Sequence, residues 1–138
     1  MTVAVDSGFQ ALIGYRIVEW SEGLAIVELS IGPQHLNRSG VLHGGVLTTQ
    51  IDTVCGYAGC YCAVPGRVRR AVTLSLTTNF TGQVGDGVLK AVGRKQTGGR
   101  RIFYCAGEVF DADGALVAMG QGTFRYRSGS ESETGVPR

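Results

Sequence analysis

This chain of 138 residues is short of histidine, with two, of proline, with three, and of tryptophan, with one. No stretch approaches the roughly 18 consecutive apolar residues that a membrane helix requires. Met1 to Leu12 carries no basic residue, so it does not read as a signal peptide. Charge of one sign is scarce too: the net value is +2 at pH 7, with Lys and Arg scattered, which argues against nucleic acid or a membrane surface as the main partner. A coenzyme bearing several phosphates stays open. No Cys-x-x-Cys pair occurs among Cys55, Cys60, Cys62 and Cys105. The first three fall in an apolar helical pattern, where cysteine serves as a small hydrophobe, so reduced structural thiols in a cytoplasmic protein without a metal are expected. A zinc site completed by His43 is the lesser alternative, because closed zinc sites want closely paired ligands.

Apolar periodicity divides what is present into a short helix, a hairpin, a long helix and further strands. Asp6 and Ser7 are N-cap candidates for a turn or two of helix carrying Phe9, Leu12 and Ile13, with Gly14 as the stop. From Leu24 to Ile31 the period becomes two, and this strand is expected to pair with Tyr15 to Trp20 across Ser21-Glu22-Gly23. Leu47, Ile51, Val54, Cys55, Ala58 and Cys62 return at helical spacing within an arc of about 100°. A second flank holds Gly45, Thr48, Asp52, Gly56 and Gly59, small residues around one carboxylate, which implies that something packs close there. After Pro65-Gly66, Val72, Leu74, Leu76, Thr78 and Phe80 alternate with Thr73, Ser75, Thr77 and Asn79, giving an apolar core face and a polar, uncharged one. Gly85-Asp86-Gly87, Gly98-Gly99 and Asp113-Gly114 mark the turns around the last three strands, Val88 to Arg94, Ile102 to Phe110 and Ala115 to Tyr126. The expected whole is an α+β domain over residues 1–127, an antiparallel sheet of five to six strands wrapped around one long helix. A disordered polar tail is expected over 128–138.

The chemistry concentrates between Leu36 and Gly59. His43, Gly44 and Gly45 open the long helix, and Asp52 follows Gly44 by eight residues. The first amides of a helix have no internal partner and, with the helix dipole, favour an anion or a polarised carbonyl oxygen. Such a donor is half of a hydrolytic site, and Asp52 is the candidate for the other half. At 1.5 Å per residue the two lie about 12 Å apart along one helix, too far to grip one carbon. A second copy packing its helix antiparallel would bring Asp52 beside Gly44 of the other chain, with Gly45, Gly56 and Gly59 permitting close approach, and a two-fold dimer would repeat the arrangement.

The segment Asn37-x5-His43-Gly44-Gly45-x6-Asp52 resembles the hotdog-fold acyl-CoA thioesterases, in the branch named after the phenylacetate-pathway thioesterase. The resemblance covers roughly residues 10–127. It implies hydrolysis of acyl-CoA or aroyl-CoA thioesters, with coenzyme A as part of the substrate and no other cofactor. It also implies at least a homodimer, with a dimer-of-dimers tetramer expected. Asn37 and His43 would line the mouth of the site and orient substrate or hold the loop. The Gly44 amide would polarise the thioester carbonyl, and Asp52 of the partner would act as general base or as nucleophile. Thr73, on the strand after the helix, would help place the water.

Each of these residues also has a plain reading. Asp52 could cap or bridge at a dimer interface, His43 and Asn37 could be loop and turn residues, and Thr73 a strand threonine. His35, outside the motif, is expected to be solvated. Arg94, Arg100 and Arg101 around the Gly98-Gly99 turn, with Gly45, are candidates to hold coenzyme A phosphates; Lys95 and the run Arg67, Arg69 and Arg70 are further basic groups, and a solvated hairpin end is the alternative. Phe9, Leu12, Tyr57 and Tyr61 could line an acyl pocket or belong to the core. A non-catalytic acyl-CoA-binding module, or a hotdog hydratase or dehydratase, are the competing functions.

Overall fold

The computed structural model describes residues 7–138, in the order α1 (Gly8–Ile13), β1 (Arg16–Ser21), β2 (Leu24–Ser30), α2 (Gly44–Gly59), β3 (Arg67–Val68), β4 (Ala71–Phe80), β5 (Val88–Gly98), β6 (Ile102–Phe110), β7 (Leu116–Tyr126) and β8 (Val136–Pro137). Six strands form one antiparallel sheet in the order β1-β2-β5-β6-β7-β4, and β3 pairs with β8 apart from it. The expected architecture, a sheet around one long helix, is the one the chain adopts. Ser7 caps α1 by accepting the Gln10 N–H at 3.1 Å, and Gly14 ends it at φ 90°. Asp6, the other cap candidate, lies outside the described residues.

Helix α2 lies on the middle of the sheet because the sheet makes room for its backbone. Gly93 on β5 pairs with Gly107 on β6, which pairs with Gly120 on β7, so three glycines form a row across the central strands. A Cβ on Gly93 would collide with the Val54 carbonyl, and one on Gly107 would sit 3.1 Å from Cys55 Sγ. Leu47, Ile51, Val54, Cys55 and Ala58 therefore press onto the sheet, none more than 3% exposed. Full burial of side chains of this size contributes about 1.5–3 kcal/mol each. Cys62, expected on the same face, lies beyond the helix, which stops at Gly59. The stop is built from afar: Tyr126 Oη donates to the Gly59 carbonyl at 2.5 Å, and the Phe103 ring occupies the space where a side chain at 59 would stand. The small flank of α2 is thus filled at Gly59 by this chain's own sheet, not by a neighbouring helix.

Two further expectations fail for physical reasons. On β4 the partners run Thr73 with Phe124 and then Ser75 with Thr123, leaving Leu74 as an extra, bulged residue. A bulge shifts the alternation by one, so Thr73 shares the helix-facing side with Thr78 and Phe80 while Leu74 is 54% exposed. The segment from Ser128 is ordered. Arg67 donates to the carbonyls of Thr134 and Gly135, both at 2.7 Å, and Arg69 to those of Ser130 and Glu131 at 2.9 and 3.3 Å. Ser130, 1% exposed, accepts the Arg70 N–H at 2.9 Å. Polar composition read as disorder, but the partners of this strap are backbone carbonyls meeting arginines far away in sequence, which composition does not register.

Candidate functional site

Asp52 projects from α2 on the flank turned toward β4, half-buried, beside the small surface of Gly56. Thr73 reaches it from the bulge: its hydroxyl donates to Asp52 Oδ1 at 2.7 Å. This bond fixes the carboxylate and leaves Oδ2 without a hydrogen-bond partner among the described residues. The pair opens onto a cavity of about 500 Å³ that crosses the outward face of α2. Its aromatic surface comes from Tyr15, Trp20, Tyr57 and Phe124, and its far end from Arg69, Arg70, Arg127 and Arg138. Trp20 is held there by donating from Nε1 to the Tyr57 carbonyl at 2.7 Å and by an edge-on contact with the Tyr57 ring.

The start of α2 forms a second, separate half of the site. His43 is the N-cap, and its Nδ1 accepts the Gly45 N–H at 2.8 Å, which leaves the ring proton on Nε2. Val46 N–H bonds the His43 carbonyl at 2.9 Å. Among the first three helical amides only that of Gly44 is left without a partner among the described residues. The Phe80 ring stands over Gly44, and a Cβ there would sit 3.2 Å from it. Asn37 holds the approach to this end, its Oδ1 accepting from Ser39 N–H at 2.8 Å and Val41 N–H at 3.3 Å. This Asx arrangement shapes the loop whose last residues, Leu42 and His43, bond back to Val84 and His35.

Asp52 and Thr73 thus meet at one end of β4, while Gly44 and Phe80 meet at the other. Within one chain Asp52 and Gly44 remain about 12 Å apart by helical rise. Of the remaining candidates, Tyr57 stands where the sequence suggested and most of the others do not. Gly45 has its amide engaged by His43, so it is not an open phosphate donor. Arg94 and Arg100 line neither cavity, and Arg101 lines a second one of about 430 Å³, together with Arg125 and Arg127. Tyr57 lines the main cavity, whereas Tyr61 packs edge-on against Trp20 and Phe9 and Leu12 are 53% and 73% exposed on α1. His35 is 2% exposed rather than solvated: Nδ1 accepts the Gly32 N–H at 2.9 Å and Nε2 bonds the Ile13 carbonyl at 2.7 Å. The Gly32-Pro33 turn before it was the available signal, since a histidine three residues after a helical start can reach back to the cap.

Cys60 is one of the residues that line the main cavity, and the three buried thiols are held protonated. Burial pushes the Cys60 and Cys105 thiols up to about 12, and Cys55 is raised further by burial, with Cys105 and Asp52 adding to it. A protonated thiol is neither nucleophile nor metal ligand. Among the described residues no three His, Cys, Asp or Glu side chains converge as a metal site, and no helix is long and apolar enough to cross a membrane.

Comparison with known proteins agrees with this geometry. The family model described as "Thioesterase superfamily" matches residues 39–118, which include His43, Gly44, Asp52 and Thr73. The phenylacetic acid degradation protein PaaI of Thermus thermophilus, solved as a variant, superposes with a TM-score of 0.74 and 26% identity, covering 86% of this chain and 98% of that one. Human acyl-coenzyme A thioesterase 13 is 25% identical over 116 residues, 83% of this chain and 82% of that protein. PA0474 of Pseudomonas aeruginosa, whose name suggests an esterase and gives no substrate, is 33% identical over 101 residues, 72% of each chain. With a hotdog sheet around its long helix and a family match over more than half its length, the chain belongs to the thioesterase superfamily, whose chemistry is thioester hydrolysis.

Proposed function

We propose that this protein hydrolyses acyl-CoA or aroyl-CoA thioesters in a site shared by two copies of the chain. The observation that carries the reading is the Asp52 carboxylate, fixed through one oxygen by Thr73 and open through the other, at the wall of a cavity large enough for an acyl group. The second copy supplies what one chain keeps too far away. Strand β4 is an edge of the sheet and runs from the Asp52 end of the site to the Gly44 end. Antiparallel pairing of two β4 strands about a two-fold near Thr77 would set Asp52 and Thr73 of each protomer toward Gly44 and Phe80 of the partner subunit. Val72, Leu74 and Phe80, at 38%, 54% and 56% exposure, would be covered by that pairing. Exposed Phe9 and Leu12 on α1 offer a separate apolar surface for a dimer of dimers.

In this reading Asp52 Oδ2 takes a proton from water as the water oxygen bonds to the thioester carbon. The carbonyl oxygen, now an oxyanion, receives the Gly44 N–H of the partner subunit. The carbon–sulfur bond breaks, coenzyme A leaves as a thiolate, and the proton held by Asp52 returns to it. One oxyanion donor is worth about 3 kcal/mol of barrier, and a placed base about 10²–10⁴ in rate. Attack by Asp52 itself through a transient anhydride uses the same groups. His43 and Asn37 hold the loop that presents the Gly44 amide. The four free cysteines fit a reducing cytoplasm.

The test is loss of thioester ultraviolet absorbance on a panel of aromatic and straight-chain acyl-CoAs, comparing wild type with Asp52→Asn. Asparagine keeps an oxygen for Thr73 and removes the base, so the variant should fold and lose turnover by about 10³. Binding without turnover by the wild type across the panel would point instead to an acyl-CoA-binding module.

A further inference from the structure

The far end of the cavity has no role in the chemistry above, and its composition is unlike the rest. Arg69, Arg70 and Arg127 line it beside Arg138, while the nearer surface is aromatic and Asp52 is the one acidic side chain on the lining among the described residues. None of these three guanidinium groups has a carboxylate partner among the described residues, where the single ion pair joins Arg16 to Glu28. Like charges held close together repel one another, and a fold that holds them together stores affinity for an anion. The ordered C-terminal strap does the holding. Arg69 is pinned by the Ser130 and Glu131 carbonyls and lies over the Tyr126 ring at 4.1 Å. Arg127 and Arg70 are brought side by side by the Arg127 N–H on the Arg70 carbonyl at 2.8 Å. The strap thereby turns basic residues that are far apart in sequence into one wall.

We propose that this wall is an anion subsite that selects the substrate, resting on the thioester reading for the chemistry at Asp52. Thr73 follows Arg70 by three steps of extended chain, about 10 Å. A substrate carrying its thioester at Asp52 and lying along the cavity presents its anionic end to Arg70 and Arg127. Two parts of a thioester substrate have that chemistry: the phosphates of the coenzyme, and a carboxylate at the end of the acyl chain.

Trp20, the chain's single tryptophan, lines the same cavity and reports binding by fluorescence whether or not hydrolysis occurs. The experiment uses two pairs of probes differing only in the anion: 4′-phosphopantetheine against pantetheine, and the glutaryl against the valeryl thioester of N-acetylcysteamine. Wild-type protein should bind the anionic member of at least one pair about tenfold more tightly, as expected for one or two charge-assisted hydrogen bonds. Arg70→Gln combined with Arg127→Gln should erase that preference, and Lys90→Gln, at an exposed position of β5 that lines neither cavity, should leave it intact. A preference confined to the first pair assigns the subsite to coenzyme phosphates, and one confined to the second assigns it to an acyl carboxylate. Equal affinity within both pairs, including no binding of any probe, overturns the subsite, as does a preference that survives the double substitution. Turnover of neutral acyl-CoAs alongside either of these results would leave the hydrolase standing without it.

Discussion

The sheet has two edges, and they differ in length and in charge. β1 carries Arg16 and Glu19, is interrupted by a bulge at Val18, and is tied to α2 through Trp20. β4 is ten residues long without one charge, and it exposes Val72, Leu74 and Phe80. Both strands are bulged, β1 at Val18 and β4 at Leu74, so the contrast rests on charge and length: charges and short length protect an unpaired edge, and a long uncharged edge invites another strand. The comparison teaches where a second copy belongs. It also teaches why: β4 connects the two halves of the site that a single chain keeps apart.

The largest effect should come from treating the two edges alike. Thr77→Lys sets two like charges opposite each other at the two-fold, and it should yield monomers with no measurable turnover; Glu19→Lys on β1 should leave both size and turnover unchanged. Light scattering and thioester absorbance on the same samples decide the matter, and a monomeric but fully active Thr77→Lys protein would break the comparison. Next comes the donor end. Gly44→Pro removes the amide at a helix position that accepts proline, after a residue whose φ of −65° and ψ of 134° already suit it. Turnover should fall by about 10²–10³ with Phe80 displaced and the helix retained by circular dichroism.

A smaller loss is expected at the acid end. Thr73→Val keeps the strand and removes the hydroxyl from Asp52, so kcat should drop about tenfold with KM little changed. The smallest effect concerns the buried side of α2 and the sheet beneath it. Burial holds Cys60, Cys105 and Tyr126 at about 12, so the folded chain keeps them neutral where the unfolded chain ionises them. Their contribution is complete below the unfolded values of about 8.5–10 and is lost as pH rises through them toward 12. The thermal midpoint should therefore hold between about pH 6 and 8 and fall above about pH 9, while iodoacetamide at pH 8 leaves turnover intact.

How much of this was legible in the sequence differs by the range of the interaction. Ser7, Gly14, the β1–β2 hairpin and the buried stripe of α2 follow from neighbours in sequence, and they stand where periodicity put them. His43, Gly44 and Asp52 were legible from their places at the start of α2 and along it, whereas Asn37 and Thr73 came only from the family resemblance. The geometry that brings Thr73 to Asp52 was not legible, since alternation alone turns Thr73 away and only the bulge at Leu74 turns it back. Cys62, the strap after Ser128 and the joining of Arg127 to Arg69 and Arg70 were missed for one reason: each depends on a partner more than 50 residues away, such as Arg69 with Ser130 or Cys62 near Glu133. Gly93, Gly107 and Gly120 read singly as weak strand residues, and they acquire meaning only when register aligns them beneath α2.

The most direct test of a site shared across β4 is to mix two inactive proteins. Asp52→Asn lacks the base and Gly44→Pro lacks the amide, and each homodimer should be inactive at both of its sites. After unfolding and refolding an equal mixture, half of the dimers would be hybrids with one site built from two intact halves, restoring about a quarter of wild-type turnover. Activity that stays at the sum of the separate variants would contradict the shared site and place base and donor within one chain.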